Sequence, residues 1–514
     1  MAAKPQGPKP LYVTLSAPVG GWNARDSIAK MPPLDAVTLI NYFPSTTSVN
    51  LRYGYSKHGT GFSGLAQTLM AYSGAATSKL FTVTSAGNIY DVTSAGAVGA
   101  AAVTGLTNGK WQYENIANPT APYLMGVNGV DKAVFYTGSA WARDGDGPPY
   151  DITGGDSSTW IDLECFKNRV WGIQKNTLKA WYLPTAAIGG AAAALDLSAF
   201  ASKGGSLQAI GTWTIDAGYG MDDYLVFVTS KGQIIVYGGT DPSSASTWAL
   251  RGVWNIGSPV GTRCLLKWKG DLLIICQDGV MPLSSALQSS RVNPRVALTD
   301  KIQYAMSTAV TNYGATFGWQ LVSFPKQNML FMNVPVGAET TQEQYAMNTI
   351  TGSWGQFQGW NAQCWEVFND EIYFGSGTYV GHAWNTLADN GTNIPGFIIQ
   401  AFNSFGKPAQ RKRGTAMRPY ILTNGAPNIQ CSMNWDFDTS NPTSPLSFTT
   451  PSYGTWDSGL WDTAIWGADL SPFYALQGVT GSGHFGAPVF KSLSNGIQVQ
   501  LVNNDISLEA GNFL

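Results

Sequence analysis

Apolar and polar residues alternate in short runs along much of the chain, and these runs come in pairs. Each pair consists of an apolar strand, a turn containing Gly, Asn or Lys, and a second strand rich in aromatic residues. The clearest copies lie at 79–92, 169–183, 223–238, 271–283 and 371–384, and weaker copies lie at 123–141 and 328–357. Alternation puts the apolar side chains of a hairpin on one face, which a single hairpin cannot bury.

These hairpins predict a fold in which each hairpin packs against the next. About seven copies, at irregular spacings of roughly 30 to 60 residues, are typical of a β-propeller, whose blades stack around an axis. We therefore predict an all-β chain with a degenerate six- or seven-bladed β-propeller over residues 63–394. A large array of β-sandwiches is the second choice, since neither a WD40 nor a kelch consensus is present.

The C-terminal segment predicts a second β domain. Four further strands are predicted in residues 395–514, at 397–403, 417–422, 429–437 and 496–503. We expect them to form a sandwich-like platform domain, which the N-terminal segment 1–62 joins.

The N-terminal segment has a pattern of its own. It predicts a strand, a turn at Gly20 and Gly21, and one short helix at 33–41. Asp35 would lie in the first turn of this helix, where a carboxylate suits the helix dipole. Pro44 would then end the helix, because proline cannot continue it.

Composition supports strands joined by tight turns. Charged residues make up 12% of the chain, about half of the ~25% usual in soluble proteins, while Gly fills 59 positions and Trp 19. Strands favour aromatic residues, and Gly supplies the positive φ of tight turns. The net charge of −2 gives no electrostatic reason to bind nucleic acid tightly, but it suits a surface past which DNA slides.

Export, membrane insertion and disulfide bonding are not expected. The first ten residues contain no apolar core of a secretory signal, and no apolar run approaches the length of a membrane-spanning helix. The five cysteines are scattered without a C-x-x-C pair, so we expect buried free thiols made in reducing cytosol.

The chain carries no catalytic or cofactor-binding motif. Its three histidines are far apart in sequence and lack metal-ligand spacing, and no H-E-x-x-H, G-x-S-x-G or P-loop pattern occurs. Two carboxylate pairs, Asp222 with Asp223 and Asp436 with Asp438, could serve glycoside hydrolysis, but carboxylates at turns or strand ends are commoner. We therefore expect no enzyme, no metal and no cofactor.

One segment concentrates positive charge in this charge-poor chain. It contains Lys407, Arg411, Lys412, Arg413 and Arg418. These side chains could contact DNA phosphates, could contact acidic groups of a neighbouring subunit, or could simply be a solvated loop. Between these two functional interpretations we favour the subunit interface.

A tryptophan-rich run is the other candidate contact. Trp456, Trp461 and Trp466 recur every five residues, a spacing that gives a single stripe on neither a strand nor a helix. An irregular loop anchored by aromatic side chains fits best. It would either dock onto a partner or pack within the chain, and sugar binding is the rival use.

Part of the N-terminal segment resembles a known family. The residues that carry the resemblance lie within 19–62 and are Gly20, Gly21, Asn23, Asp26, Ser27, Met31, Pro32, Ala36, Asn41, Phe43, Pro44, Arg52, Gly54 and Tyr55. In order and spacing they resemble the opening of tail nozzle proteins of short-tailed phages, the tail tubular B type, and of the related packaged-DNA stabilisation proteins. The run from Trp456 to Trp466 also looks like a C-terminal feature of phage proteins of this kind.

The resemblance implies a homo-hexameric ring beneath the portal and its adaptor. Each subunit would contribute a propeller outside and a platform domain around a central channel, with tail fibres or spikes as further partners. Double-stranded DNA would be retained behind the channel and pass through it without sequence specificity. The protein would then be a virion component, synthesised in the host cytoplasm. The alternatives are a propeller tail protein that binds or cleaves receptor glycans, and an interaction hub inside a cell.

Overall fold

The structure is a computed structural model that describes residues 10–74, 77–216, 221–286, 294–441, 470–474 and 476–511. Within these ranges the chain forms β-sheet almost throughout, with two short α-helices and four single 3₁₀ turns. The prediction of an all-β chain is confirmed. The described residues contain no helix that is long and apolar enough to cross a membrane.

The N-terminal segment contributes six strands. They are β1 (Pro10–Ser16), β2 (Gly21–Trp22), β3 (Asp35–Ile40), β4 (Tyr42–Pro44), β5 (Val49–Leu51) and β6 (Gly54–Thr60).

The next part of the chain forms a series of small antiparallel sheets. Its first half contains β7 (Ala66–Ser73), β8 (Ser78–Thr84), β9 (Ile89–Asp91), β10 (Gly96–Ala97), β11 (Gln112–Ala117), β12 (Pro122–Val127), β13 (Val134–Tyr136), β14 (Trp141–Arg143), β15 (Ile152–Thr153), β16 (Trp160–Phe166), β17 (Arg169–Gln174), β18 (Lys179–Tyr182), β19 (Gly190–Ala191) and β20 (Ala193–Asp196). Its second half contains β21 (Leu207–Asp216), β22 (Met221–Thr229), β23 (Gln233–Gly239), β24 (Trp248–Asn255), β25 (Leu265–Trp268), β26 (Asp271–Cys276), β27 (Gly279–Pro282), α1 (Leu283–Ala286), α2 (Gln303–Tyr313), β28 (Gln320–Phe324), β29 (Met329–Pro335), β30 (Gln342–Asn348), β31 (Trp354–Phe357), β32 (Cys364–Phe368), β33 (Glu371–Ser376) and β34 (Tyr379–Thr386).

Seven consecutive strand groups can be followed in the described residues. They are β7–β8–β9, β11–β12–β13–β14, β16–β17–β18–β20, β21–β22–β23–β24, β25–β26–β27, β28–β29–β30–β31 and β32–β33–β34. Each group contains one of the seven hairpins predicted from alternation, and the strand pairing within each hairpin is antiparallel.

The first and last of these groups lie side by side. Strand β32 packs against β7, so the beginning and the end of the series are neighbours. The N-terminal strand β6 pairs antiparallel with β34, from Tyr379 opposite Thr60 to Thr386 opposite Gly54. A strand from before the series therefore joins its last sheet, and β10 pairs in parallel with the other side of β6.

The C-terminal segment adds β35 (Ile394–Gln400), β36 (Lys412–Thr423), β37 (Asn428–Trp435), β38 (Ser471–Tyr474), β39 (Gln477–Gly478), β40 (Ser482–Gly483), β41 (Gly486–Ser494) and β42 (Val499–Ala510). Strands β38, β36, β42, β5 and β4 follow one another in one sheet, where β1 also pairs with β42. Strands β35, β41 and β37 continue, through β3, the sheet that begins with β28–β31. N-terminal and C-terminal strands are thus shared between the same sheets.

The predicted helix at 33–41 is wrong. Residues Asp35–Ile40 form β3, which pairs in parallel with β2 and antiparallel with β35. The β-branched side chains of Val37, Thr38 and Ile40 suit a strand, and pairing on both sides outweighs the local helix signal. Pro44 does not end a helix but closes the short strand β4.

Candidate functional site

A buried ionic network joins the N-terminal segment to the strands that follow β34. The Arg52 guanidinium donates to both carboxylate oxygens of Asp389, at 2.8 and 2.6 Å. Asn41 accepts from Arg52 Nε at 3.0 Å and donates to the Pro395 carbonyl at 2.8 Å. The guanidinium also lies 4.4 Å from the centre of the Trp360 ring. Because Arg52 is only 1% exposed, this network fixes the segment between β3 and β6 against β35.

A second polar network holds the turn at Gly20 and Gly21. The buried Asp35 carboxylate accepts from Asn23 Nδ2 and from Lys301 Nζ, both at 2.7 Å. Lys301 also donates to the Gly20 carbonyl at 2.7 Å. A Cβ on Gly20 would lie 2.1 Å from a carboxylate oxygen of Asp35, so this position requires glycine. In both networks the polar groups bond to one another within the chain, so both networks connect segments of the fold and neither is a ligand pocket.

A cavity of about 510 Å³ lies where the first strands of the seven groups converge. We call it the central cavity; β7, β11, β16, β21, β25, β28 and β32 all contribute to its wall. Its ionisable lining side chains are Tyr113, Glu114, Asp162, Glu164, Arg263, Lys267 and Glu366. Four carboxyl groups therefore face two cations, and the volume is in the range of small-molecule pockets.

Arg263 reaches across one side of the central cavity. From the segment before β25, its Nη2 donates to Thr68 Oγ1 at 2.6 Å and to the Trp111 carbonyl at 3.1 Å. Its Nε donates to Gln112 Oε1 at 3.2 Å, and its guanidinium lies 5.2 Å from the centre of the Phe317 ring. These contacts tie β7 and β11 to a distant part of the chain.

Asp162 and Glu164 lie on β16 and connect it to neighbouring strands. The register of β16 shifts between Trp160 and Asp162, a local bulge of the kind that re-aims a side chain. Asp162 then accepts from the Ile210 N–H at 3.0 Å. Glu164 accepts from Lys267 Nζ at 3.2 Å.

Burial changes the protonation of these carboxyl groups. Burial raises the pKa of Glu114 to about 8, and the negative charge of Glu164 adds to this effect while Lys267 opposes it. Burial also raises the pKa of Asp162 to about 8, against hydrogen bonds from backbone N–H groups. The pKa of Glu164 is raised by burial too, with Lys267 opposing. Burial raises the pKa of Glu366 to about 7, although a hydrogen bond with Tyr113 lowers it.

The structure divides the basic segment between a loop and a strand. Lys407 and Arg411 lie in the loop before β36, whereas Lys412, Arg413 and Arg418 lie on β36 itself. Lys412 is 1% exposed and donates to the carbonyls of Lys407 and Gln410, so it stabilises the loop and offers no charge to a partner. Arg413 lies beside Glu509 of β42 in the sheet.

Arg418 forms a surface ion pair with Asp505 on β42. The two atoms Nη2 and Oδ2 are 2.6 Å apart, and both side chains are about half exposed. We expect Arg418→Met to lower the free energy of unfolding by at most about 1 kcal/mol, because water and salt screen exposed pairs. Chemical unfolding checks this; a loss of several kcal/mol would show that the pair is structurally essential.

The structure gives the partners of three of the four carboxylates in the proposed pairs. Strand β37 ends at Trp435, and Asp436, with φ of 48°, accepts from the backbone N–H groups of His484 and Phe485. Asp438 accepts from Ser440. Asp223 pairs with Lys167 at 3.0 Å, and the side chain of Asp222 lies outside the described residues.

Two histidines that are distant in sequence are brought together. His58 on β6 and His382 on β34 have ring centroids 6.3 Å apart. His58 Nε2 lies 2.9 Å from the Val92 carbonyl, and burial lowers the pKa of its ring. No group of three or more His, Cys, Asp or Glu is placed to hold a metal in the part of the chain that the structure describes.

Two further expectations have different outcomes. All five cysteines are free and four are buried, as expected for structural thiols. The predicted docking run of Trp456, Trp461 and Trp466 lies outside the described residues.

The cavity carboxylates were not anticipated from the sequence. A signal for them exists in the run WIDLECF at 160–166, where two acidic residues occupy alternate positions among apolar ones. Such a pair faces one side of a strand. Glu114 and Glu366 carry no comparable signal, because only the packing of distant strands brings them to the cavity.

No family model matches the chain, and no curated protein matches it. Several solved structures are similar to it. The amino-terminal domain of BBS1 in complex with ARL6 aligns with 9% identity and a TM-score of 0.40, over 65% of this chain and 99% of the other. The β-propeller domain of Cps50 (Swd1) from Myceliophteria thermophila aligns with 12% identity and a TM-score of 0.39, over 65% of this chain and 100% of the other. The WD40 β-propeller domain of Doa1 aligns with 11% identity and a TM-score of 0.38, over 64% of this chain and 96% of the other.

Proposed function

We propose that this chain is a non-enzymatic structural subunit of a tail nozzle from a short-tailed phage. In this proposal the seven strand groups are the blades of a closed seven-bladed propeller, and β6 completes the last blade. The remaining sheets are the platform domain. Six subunits form a ring below the portal and its adaptor, retain the packaged DNA and conduct it during ejection.

The observation that carries the proposal is the position of the residues shared with nozzle proteins. Four of these residues take part in the two buried networks that bond the N-terminal segment to distant parts of the chain: Gly20, Asn23, Asn41 and Arg52. A family that keeps a propeller and a platform in fixed relation needs such a joint. The motif is therefore explained by architecture and not by chemistry.

The dimensions of the central cavity favour a ring of chains. A cavity of about 510 Å³ that Arg263 crosses is far too small for duplex DNA. A DNA channel therefore has to lie between subunits. With 12% charged residues, the surface around such a channel would bind phosphates weakly, so that DNA slides.

The basic segment then has a place at the subunit interface. Lys407, Arg411 and Arg413 are exposed and form no ion pair among the described residues. In the proposed ring these three side chains contact acidic groups of the next subunit. Tail fibres or spikes, the adaptor and the portal are the other partners, and the assembled virion is the location.

Light scattering and native mass spectrometry test the assembly. We expect a particle of six times 54.9 kDa, or a monomer that assembles only on a portal–adaptor ring. The triple variant Lys407→Ala, Arg411→Ala, Arg413→Ala should weaken assembly while leaving the monomer folded, and Arg418→Ala is its matched control. A stable trimer would contradict the proposal and indicate a fibre or spike.

A second candidate function is glycan cleavage in the central cavity. The observation that favours it is a set of carboxyl groups with raised pKa values, which a general acid requires. Against it, Trp111 and Trp365 in the cavity wall are each 1% exposed and offer no stacking surface to a sugar. Hydrolysis of host-surface polysaccharide that is lost in Glu164→Gln would establish this candidate and contradict the non-enzymatic proposal.

A further inference from the structure

The central cavity brings together sheets that share no backbone ladder. Strand β11 is the first strand of one sheet and β16 is the first strand of the next, and these two strands lie side by side. Asp162 of β16 reaches the Ile210 N–H of β21, and Glu164 of β16 meets Lys267 of β25. Glu114 of β11 also lines this part of the cavity, close enough to interact with the charges of Glu164, Lys267 and Asp162. Four ionisable side chains therefore lie together where these sheets meet: Glu114, Asp162, Glu164 and Lys267.

In this part of the cavity carboxyl groups outnumber cations. Glu114, Asp162 and Glu164 are three carboxyl groups, and Lys267 is the cation beside them. Arg263 is directed towards β7 and β11 backbone and amide oxygens, while Glu366 of β32 is engaged with Tyr113. The lining residues of β7, β21 and β28 bring no charged group to the cavity.

We propose that the central cavity is a pH-sensitive joint, in which the charge on Glu114, Asp162 and Glu164 sets how firmly the sheets led by β11 and β16 pack together. When the carboxyl groups are protonated, like charges are absent and the two strands pack closely. When they lose their protons, three negative charges face one Lys267, and mutual repulsion in a partly desolvated space loosens the joint. This inference does not depend on the proposed nozzle function.

The direction of the effect follows from proton binding. The pKa of Glu114 rises from its ordinary value of 4.5 to about 8 on folding, mainly through burial. The folded chain therefore binds more protons than the unfolded chain between these two values. Stability conferred by this group is present at acidic pH, falls as the pH rises from about 4.5 towards 8, and is lost above that. Asp162, with its pKa also raised to about 8, acts in the same direction.

Hydrogen exchange with mass spectrometry tests the joint in the full-length protein. Protection of β11 and β16 is compared at about pH 6 and about pH 9, after correction for the intrinsic exchange rate, with β35 and β41 as internal reference. We expect protection of β11 and β16 to fall about tenfold or more relative to the reference, since one pKa unit corresponds to a factor of ten. Glu114→Gln should abolish most of this fall.

Two further variants make the result decisive. Glu509→Gln, the same substitution at a half-buried position of β42 away from the central cavity, should keep the wild-type pH dependence. Lys267→Met, at a side chain that is 58% exposed, should enlarge the fall because the neighbouring cation is removed. The proposal is overturned if β11, β16 and the reference strands lose protection equally, or if neither Glu114→Gln nor Lys267→Met alters the pH dependence.

Discussion

Arg52→Met is expected to lower the free energy of unfolding by about 3–5 kcal/mol, the cost of leaving a buried charge without its partner. Asp389 is 8% exposed and receives two charge-assisted hydrogen bonds from Arg52. After the substitution its carboxylate keeps only the weaker bond from Trp360 Nε1, at 3.3 Å. Asn41 Oδ1 also loses one of its two donors and keeps the Gln358 N–H, at 2.8 Å, so the connection between β3 and β35 weakens.

The control is Arg418→Met, the same substitution in an exposed ion pair. The midpoint of chemical unfolding, followed by circular dichroism, should shift strongly for Arg52→Met and hardly at all for Arg418→Met. Arg52→Lys should fall between them, because an ammonium keeps the charge but cannot make the two parallel bonds of a guanidinium. Equal shifts for the two Met variants would mean that burial of Arg52 contributes nothing.

Local alternation was sufficient to predict the hairpins of the central part. The two strands of each hairpin are close in sequence, so one short stretch of sequence contains both the turn and the alternating apolar residues. The predicted pairs at 169–183 and 371–384 correspond to β17–β18 and β33–β34. The same reasoning failed at 33–41, because β3 owes its conformation to β2 and β35, and β35 lies some 360 residues away.

The candidate sites were predictable only where neighbours in sequence are neighbours in space. The basic segment could be identified, but the burial of Lys412 depends on how the loop before β36 folds back over it. The central cavity is assembled from seven strands spread over 300 residues, so no window of sequence contains it. Similarly, the partners of Arg52 and Asp35 could not be deduced, since Asp389 and Lys301 are distant in the chain.

Trp365→Ala is expected to destabilise the sheets led by β28 and β32 by about 3–5 kcal/mol, the usual cost of deleting a buried indole. Trp365 is 1% exposed, and its ring centroid lies 4.8 Å from that of Phe331 and 5.0 Å from that of Phe374. Its Nε1 donates to Asn333 Oδ1 at 2.9 Å. The side chain therefore fills the space between two sheets that have no backbone pairing with each other.

Trp365→Ala should reduce protection from hydrogen exchange near the substitution before it affects the whole chain. Hydrogen exchange in Trp365→Ala should accelerate first in β28–β34, while β36 and β42 keep their protection, because the apolar cluster around Trp365 is separate from the one beneath those strands. Trp365→Phe, which keeps an aromatic ring but loses the bond to Asn333 and part of the buried ring volume, should cost roughly 1–3 kcal/mol. If Trp365→Ala accelerated exchange uniformly in all sheets, the chain would unfold as one cooperative unit, and the separation of the two clusters would have no energetic meaning.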